Sequence, residues 1–82
     1  MAEPSMQQVW LIQRLLKPYG NTPSHKTVVD LVSNDRARAS IAITRLKKLN
    51  SLEADRINAL PVEKRLNAQK NITEEEFRWV FS

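Results

Sequence analysis

Apolar residues recur every three or four positions along most of the chain, which is the spacing of amphipathic helices. The stretch MQQVWLIQRLLK, residues 6–17, places Val9, Ile12 and Leu16 on one stripe and predicts a first helix with a buried side. The tetrapeptide PYGN at 18–21 predicts its end, because proline cannot continue the helical hydrogen bonds and Gly-Asn suits a turn.

A second helix is predicted from Thr22, as its cap, and Pro23, at its first position, to about Ser33. Its buried side is formed by the apolar residues of TVVDLV. Valine is a poor helix former, so we expect this helix to depend on packing against its neighbours.

The stretch NDRARASIAITRLKKL, residues 34–49, predicts a third helix with two different faces. At about 100° per residue, one arc carries apolar residues and is the predicted core face: Ala39, Ala42, Ile43, Leu46 and Leu49. The opposite arc carries five cations, two hydroxyls and one isoleucine: Arg36, Arg38, Ser40, Ile41, Thr44, Arg45, Lys47 and Lys48.

Helix signals continue after the third helix. The sequence NSLE at 50–53 has the pattern of a capping box and predicts that a new helix starts there, with a short strand over 52–57 as the alternative. Pro61 is predicted to open a further helical piece through Leu66, and residues 67–71 form a polar linker.

The strongest capping signal lies near the C-terminal end. Thr73 and Glu76 form a capping box, and Ile72 can pack against Phe77 as a hydrophobic staple. The pattern predicts a helix over 74–81 that docks into the core, since a free helix of two turns is marginal in water.

Composition supports an all-α fold. The chain has 82 residues, enough for a single small domain, with 41% apolar and 27% charged residues. Its one glycine argues against an abundance of hairpins. We therefore expect a compact bundle of four to five short helices, preceded by a flexible leader at 1–5.

The sequence contains few of the residues that catalysis, metal binding or cofactor binding require. The chain has no cysteine, and His25 is its one histidine, so we predict no catalytic residues, no metal site, no cofactor and no small-molecule substrate. The longest apolar run has four residues, which predicts no membrane association. An intracellular, cytoplasmic protein that is not an enzyme is expected.

The basic arc of the third helix suggests DNA binding. The net charge is +4, and residues 35–50 sum to +4 while 71–82 sum to −2. Arginine and lysine suit phosphates and guanine edges, and serine and threonine suit either. The predicted contacts are Arg36, Arg38, Ser40, Thr44, Arg45, Lys47, Lys48 and, on the second helix, Lys26, with His25 beside it.

The segment TVVDLVSNDRARASIAITRLKKLNSL, residues 27–52, resembles the helix-turn-helix core of small bacterial and phage regulators. With the start of the second helix included, the resemblance covers residues 23–52. Its turn lacks glycine and has Ser33 and Asn34 instead. The resemblance implies a DNA-binding transcription regulator or accessory protein in which residues 36–48 contact DNA.

The alternative function is a helical protein interaction module. An acidic partner could bind the basic arc, or a target could dock on the aromatic C-terminus. The candidate contacts, which could also form the seam of a homodimer, are Trp10, Phe77, Trp79 and Phe81. RNA binding ranks third, because it more often places exposed aromatic residues among the basic ones, and the third helix has none.

Overall fold

The computed structural model describes residues 2–82, which form five α-helices and a short 3-10 turn and contain no β-strand. In chain order the helices are α1 (Met6–Leu16), α2 (His25–Leu31), α3 (Arg36–Asn58), α4 (Val62–Arg65) and α5 (Glu74–Val80). The predicted all-α bundle of four to five helices is confirmed. Not all of them are short, however, because α3 has 23 residues.

The core forms where α1 packs against both α2 and α3 and where α5 packs against α3. The buried apolar residues come from α1, α2, α3 and α5 and from Val32, which directly follows α2: Val9, Ile12, Leu16, Val28, Val32, Ala39, Ala42, Leu46, Leu49 and Val80. The predicted core faces of α1 and α3 are confirmed, although Ile43 is only partly buried.

Helix α1 begins and ends where the sequence predicts. Ser5 and Gln8 form a reciprocal capping box, in which each side chain accepts from the other residue's backbone N–H. A 3-10 turn over Lys17–Tyr19 follows the helix. Gly20 then adopts a left-handed φ of 75°, a conformation that glycine adopts without a steric cost.

The leader contacts the start of α3. The Ala2 carbonyl accepts a hydrogen bond from the Arg36 backbone N–H at 2.9 Å, and the Glu3 carbonyl accepts from the Arg36 Nε at 3.0 Å. Residues 2–5, expected to be flexible, therefore lie against the N-terminal end of α3 and satisfy one of its exposed amides.

Helix α2 begins two residues later than predicted. Its cap is Ser24, whose hydroxyl accepts from the Thr27 backbone N–H at 3.2 Å, so the predicted cap at Thr22 is wrong. Pro23 lies in the connecting loop, where its carbonyl accepts a hydrogen bond from Gln13 Nε2 at 3.0 Å. This contact between loop and α1 holds Pro23 outside the helix.

The turn between α2 and α3 contains two consecutive left-handed residues, Ser33 (φ 54°) and Asn34 (φ 51°). The Asn34 N–H donates to the Val29 carbonyl at 2.8 Å. Asp35 then caps α3 by accepting from the Ala37 N–H at 3.0 Å. A left-handed conformation costs a non-glycine residue about 1–2 kcal/mol, and a serine and an asparagine occupy this turn in place of glycine.

Helix α3 continues without a break through the predicted helix start at 50–53, so both that start and the alternative strand at 52–57 are wrong. Instead of capping a new helix, the Asn50 side chain donates to the carbonyls of Leu15, at 3.3 Å, and Leu46, at 3.0 Å. The helix is about 34 Å long at 1.5 Å per residue. Beyond Leu49 it has no fully buried residue, which leaves Leu52 exposed and gives the molecule a long dimension of 48 Å.

The C-terminal segment folds back onto α3. Thr73 and Glu76 form the predicted capping box at the start of α5. Val80 is fully buried, and the rings of Phe77 and Phe81 pack 5.0 Å apart against the core. The predicted docking of this helix is therefore confirmed, and so is the short helical piece after Pro61.

Candidate nucleic-acid interface

The outer side of α3 carries the predicted nucleic-acid contacts on a solvent-exposed surface, here called the basic face. Its members lie on the first four turns of the helix, opposite the buried Ala39 and Leu46, and all are exposed: Arg36, Arg38, Ser40, Ile41, Thr44, Lys47 and Lys48. Residues 36–48 contain five cations and no carboxylate. The structure thus leaves seven of the eight predicted outer-arc residues exposed, over about half of the helix circumference, with Arg38 and Lys47 on its two sides.

None of the four cations of the basic face forms an ion pair within residues 2–82. The two ion pairs in that range are Arg56–Glu53 at 2.8 Å and Arg78–Glu74 at 2.7 Å, and both lie outside the first four turns of α3. Arg38, Lys47 and Lys48 therefore present their charge to solvent. An exposed cation of this kind can bind an external anion without first breaking an internal pair.

Arg36 is partly engaged within the molecule. Its Nε donates to the Glu3 carbonyl, and its own carbonyl accepts from Gln8 Nε2 at 3.4 Å. These contacts fix the first turn of α3 against α1 and the leader. They leave the terminal nitrogens of the guanidinium as the groups that can reach a ligand.

The centre of the basic face is small and polar. The Thr44 hydroxyl donates to the Ser40 carbonyl at 3.1 Å, so it faces a ligand only as an acceptor. Within residues 2–82 the Ser40 hydroxyl makes no hydrogen bond, and Ile41 exposes 44% of its surface beside it. The surface can therefore offer one hydroxyl donor and one methyl-rich contact between the flanking cations.

Arg45 differs from the other predicted contacts because it is held by the C-terminal segment. Its guanidinium donates to the Trp79 carbonyl and, at 2.9 Å, to the Ser82 hydroxyl. It also lies 5.0 Å from the centre of the Trp79 ring, which is the geometry of a cation–π contact. In this arrangement Arg45 joins α3 to the end of α5.

The acidic start of α5 does not cover the basic face. Glu74 pairs with Arg78 on its own helix, and Glu76 caps that helix through Thr73. Within residues 2–82, no ion pair joins Glu74, Glu75 or Glu76 to α3. The packing of α5 on α3 therefore engages Arg45 and leaves the remaining cations exposed.

Lys26 is separated from the basic face along α2. It lies in the first turn of that helix, whereas the turn into α3 follows the opposite end of the helix. His25 is its neighbour and is also exposed. The structure does not bring these two residues onto the basic face.

The predicted aromatic contacts divide into two groups. Phe77 and Phe81 are partly buried against the core, whereas Trp10 and Trp79 expose 57% and 39% of their surface. The residues that sequence reasoning missed lie beside Trp10: Arg14 and Lys17 follow it at helical spacing and share its exposed side of α1. The spacing of four residues from Trp10 to Arg14 and of three from Arg14 to Lys17 places all three on one side of a helix, so the sequence could have predicted this surface.

No group of three or more His, Asp or Glu side chains within residues 2–82 is placed to hold a metal ion. None of the described helices combines the length and apolar character needed to cross a membrane. Comparisons of the chain with protein-family models, with curated proteins and with solved structures find no match.

Proposed function

We propose that the protein binds duplex DNA through the basic face of α3. The observation that carries this proposal is the set of exposed cations, Arg38, Lys47 and Lys48, on a 13-residue stretch without a carboxylate. A B-DNA major groove, about 12 Å wide, admits a single α-helix. The core behind α3 leaves this side of the helix open to such a groove.

Five groups of the basic face have a stated role in this proposal. Arg38, Lys47 and Lys48 bind phosphates, which supply sequence-independent affinity. Ser40 contacts a base edge, and Ile41 contacts a thymine methyl group. Arg45, a candidate for base contacts from the sequence, is assigned instead to holding α5, because its guanidinium is bonded to the C-terminal segment.

The experiment is a titration of mixed-sequence duplex DNA at several salt concentrations. For the Lys47→Ala/Lys48→Ala variant we expect weaker binding and a salt slope smaller by about 1.8, since each phosphate contact contributes about 0.9 to the slope. Lys64→Ala/Arg78→Ala is the matched control, because it removes the same charge from α4 and α5. Equal losses in the two variants, or no binding at low salt, would contradict the proposal.

An acidic protein partner is the second candidate, because the same exposed cations would serve it. The aromatic C-terminus has less to offer such a partner, since Phe77 and Phe81 already pack against the core and Trp79 is in contact with Arg45. A competition experiment separates the two candidates, in which polyglutamate is added to the complex of the protein with DNA. Displacement of DNA only at a large excess of polyglutamate charge supports the DNA proposal, whereas displacement at equal charge supports the acidic partner.

A further inference from the structure

A second cationic surface lies on α1, where an open groove separates the helix from the loop that leads into α2. It is lined by Trp10, Gln13, Arg14, Lys17, Thr22 and Pro23. The hydrogen bond from Gln13 Nε2 to the Pro23 carbonyl joins the two walls. The Gln13 side chain thus ties α1 to the loop that leads into α2 at this groove.

Trp10 gives the groove an exposed aromatic surface. The ring exposes 57% of the residue's surface, and the Arg14 guanidinium carbon lies 5.2 Å from its centre. Exposure of a tryptophan side chain to water is unfavourable in free energy, and Trp10 is not part of the hydrophobic core. Both the ring and the guanidinium group are planar, and a further planar group can stack on the exposed part of the ring.

The two charged side chains that line the groove, Arg14 and Lys17, are both basic. Residues 4–29 contain Arg14, Lys17 and Lys26 and no Asp or Glu. Neither Arg14 nor Lys17 forms an ion pair within residues 2–82. The groove therefore favours a ligand that carries negative charge next to a planar ring.

We infer that this groove binds single-stranded nucleic acid, with a base stacked near Trp10 and phosphates held by Arg14 and Lys17. Unpaired bases expose the faces that stack on aromatic and guanidinium groups, whereas a duplex buries them between its own base pairs. An acidic peptide would use the two cations but gain little from the tryptophan ring. This surface differs from the basic face in position and in the form of nucleic acid that it takes.

Intrinsic fluorescence offers a direct test, because the chain has two tryptophans. In the Trp79→Phe variant, Trp10 is the remaining tryptophan, and we expect its emission to be quenched by twelve-residue oligothymidylate or oligouridylate. A tighter response to one of these oligonucleotides identifies the preferred probe, which differs from the other in the sugar 2′-hydroxyl and in the base methyl group. Polyglutamate at equal charge is the control, and equal quenching by it would overturn the proposal in favour of an acidic peptide.

Binding of labelled oligonucleotides tests the individual residues. We expect Trp10→Ala to weaken binding about tenfold, in line with the loss of one stacked base, and Arg14→Glu to weaken it and reduce the salt slope. Trp79→Ala is the matched control and should bind as the wild type does. Unchanged binding by both Trp10→Ala and Arg14→Glu would overturn the proposal, and a circular dichroism melt of each variant reports its folding.

The two surfaces separate in a crossed experiment. Trp10→Ala should keep its affinity for duplex DNA, and Lys47→Ala/Lys48→Ala should keep its affinity for the single strand. If the wild type binds the single strand but not duplex DNA, the proposal for the basic face is wrong. If it binds duplex DNA but not the single strand, the proposal for the groove is wrong.

Discussion

The hydroxyl group of Tyr19 is buried and has no hydrogen-bond partner within residues 2–82. Burial raises the pKa of the phenol, and the nearby carboxylates of Glu53 and Glu76 raise it further. All three effects disfavour the phenolate, so the group remains a neutral hydroxyl whose hydrogen bonds to water were lost on folding.

We expect Tyr19→Phe to be at least as stable as the wild type, with a gain of about 1 kcal/mol in the free energy of unfolding, because it removes an unsatisfied polar group and keeps the ring. Urea denaturation measures the difference. A loss of stability would show that the hydroxyl is bonded in solution, for example through a water molecule to Glu53 or Glu76.

At the scale of single elements, Asn50 shows how an interior contact can override a local signal. Its side chain bonds to the carbonyls of Leu15 and Leu46, and its oxygen accepts from Lys70 Nζ at 3.2 Å. One amide thus links the end of α1, the middle of α3 and the segment before α5. These partners lie up to 35 residues from Asn50 in the sequence, so a pattern of neighbouring residues cannot predict the contacts.

Asn50→Ala should lower the free energy of unfolding by about 1–2 kcal/mol, because it removes these partly buried hydrogen bonds. Ser51→Ala is the matched control: it alters the next, exposed position of the same helix and should have almost no effect. Denaturant midpoints of both variants test the prediction, and equal midpoints would mean that Asn50 has no special role.

The sequence was sufficient for elements whose signals are local and insufficient where distant contacts decide. The capping box at Thr73 and the apolar stripe of α3 depend on residues within one or two turns, and they were predicted correctly. The continuation of α3 past Asn50 depends on contacts with other elements. On the candidate site, the exposure of Lys47 and Lys48 followed from the helical pattern, whereas the engagement of Arg45 required the position of α5.

At the scale of the whole molecule, charge is segregated. Six of the nine carboxylates lie between residues 53 and 76, whereas 4–29 and 36–48 have none. The N-terminal part and the first half of α3 are therefore cationic, and the far end of α3 with the segment after it is mixed or acidic. Such a distribution orients the molecule as it approaches a polyanion and speeds its association at low salt.

The far end of α3 is also where folding depends on pH. Glu53 accepts hydrogen bonds from Arg56 at 2.8 Å and from the Asn71 N–H at 3.2 Å, and chiefly the bond from Arg56 holds the pKa of Glu53 below its ordinary value of 4.5. The folded protein therefore takes up this proton at lower pH than the unfolded chain does. The resulting stability is present above pH 4.5 and is lost as the pH falls through the folded-state pKa.

Glu53→Gln should be less stable than the wild type at neutral pH, and the difference should narrow as the pH falls below about 4.5. Melting temperatures between pH 7 and pH 3 test this, with Glu63→Gln on exposed α4 as the control. A constant difference across that range would show that the bonds of Glu53 do not depend on its charge.

The turn between α2 and α3 also restricts which sequences can keep this architecture. Ser33 and Asn34 are exposed, and exposed positions usually accept most side chains. Because both have left-handed backbones, β-branched residues are strongly disfavoured there, whereas glycine, asparagine and aspartate are the residues that adopt this conformation most readily. Among natural variants of this chain, these two surface positions should therefore vary as little as interior ones do.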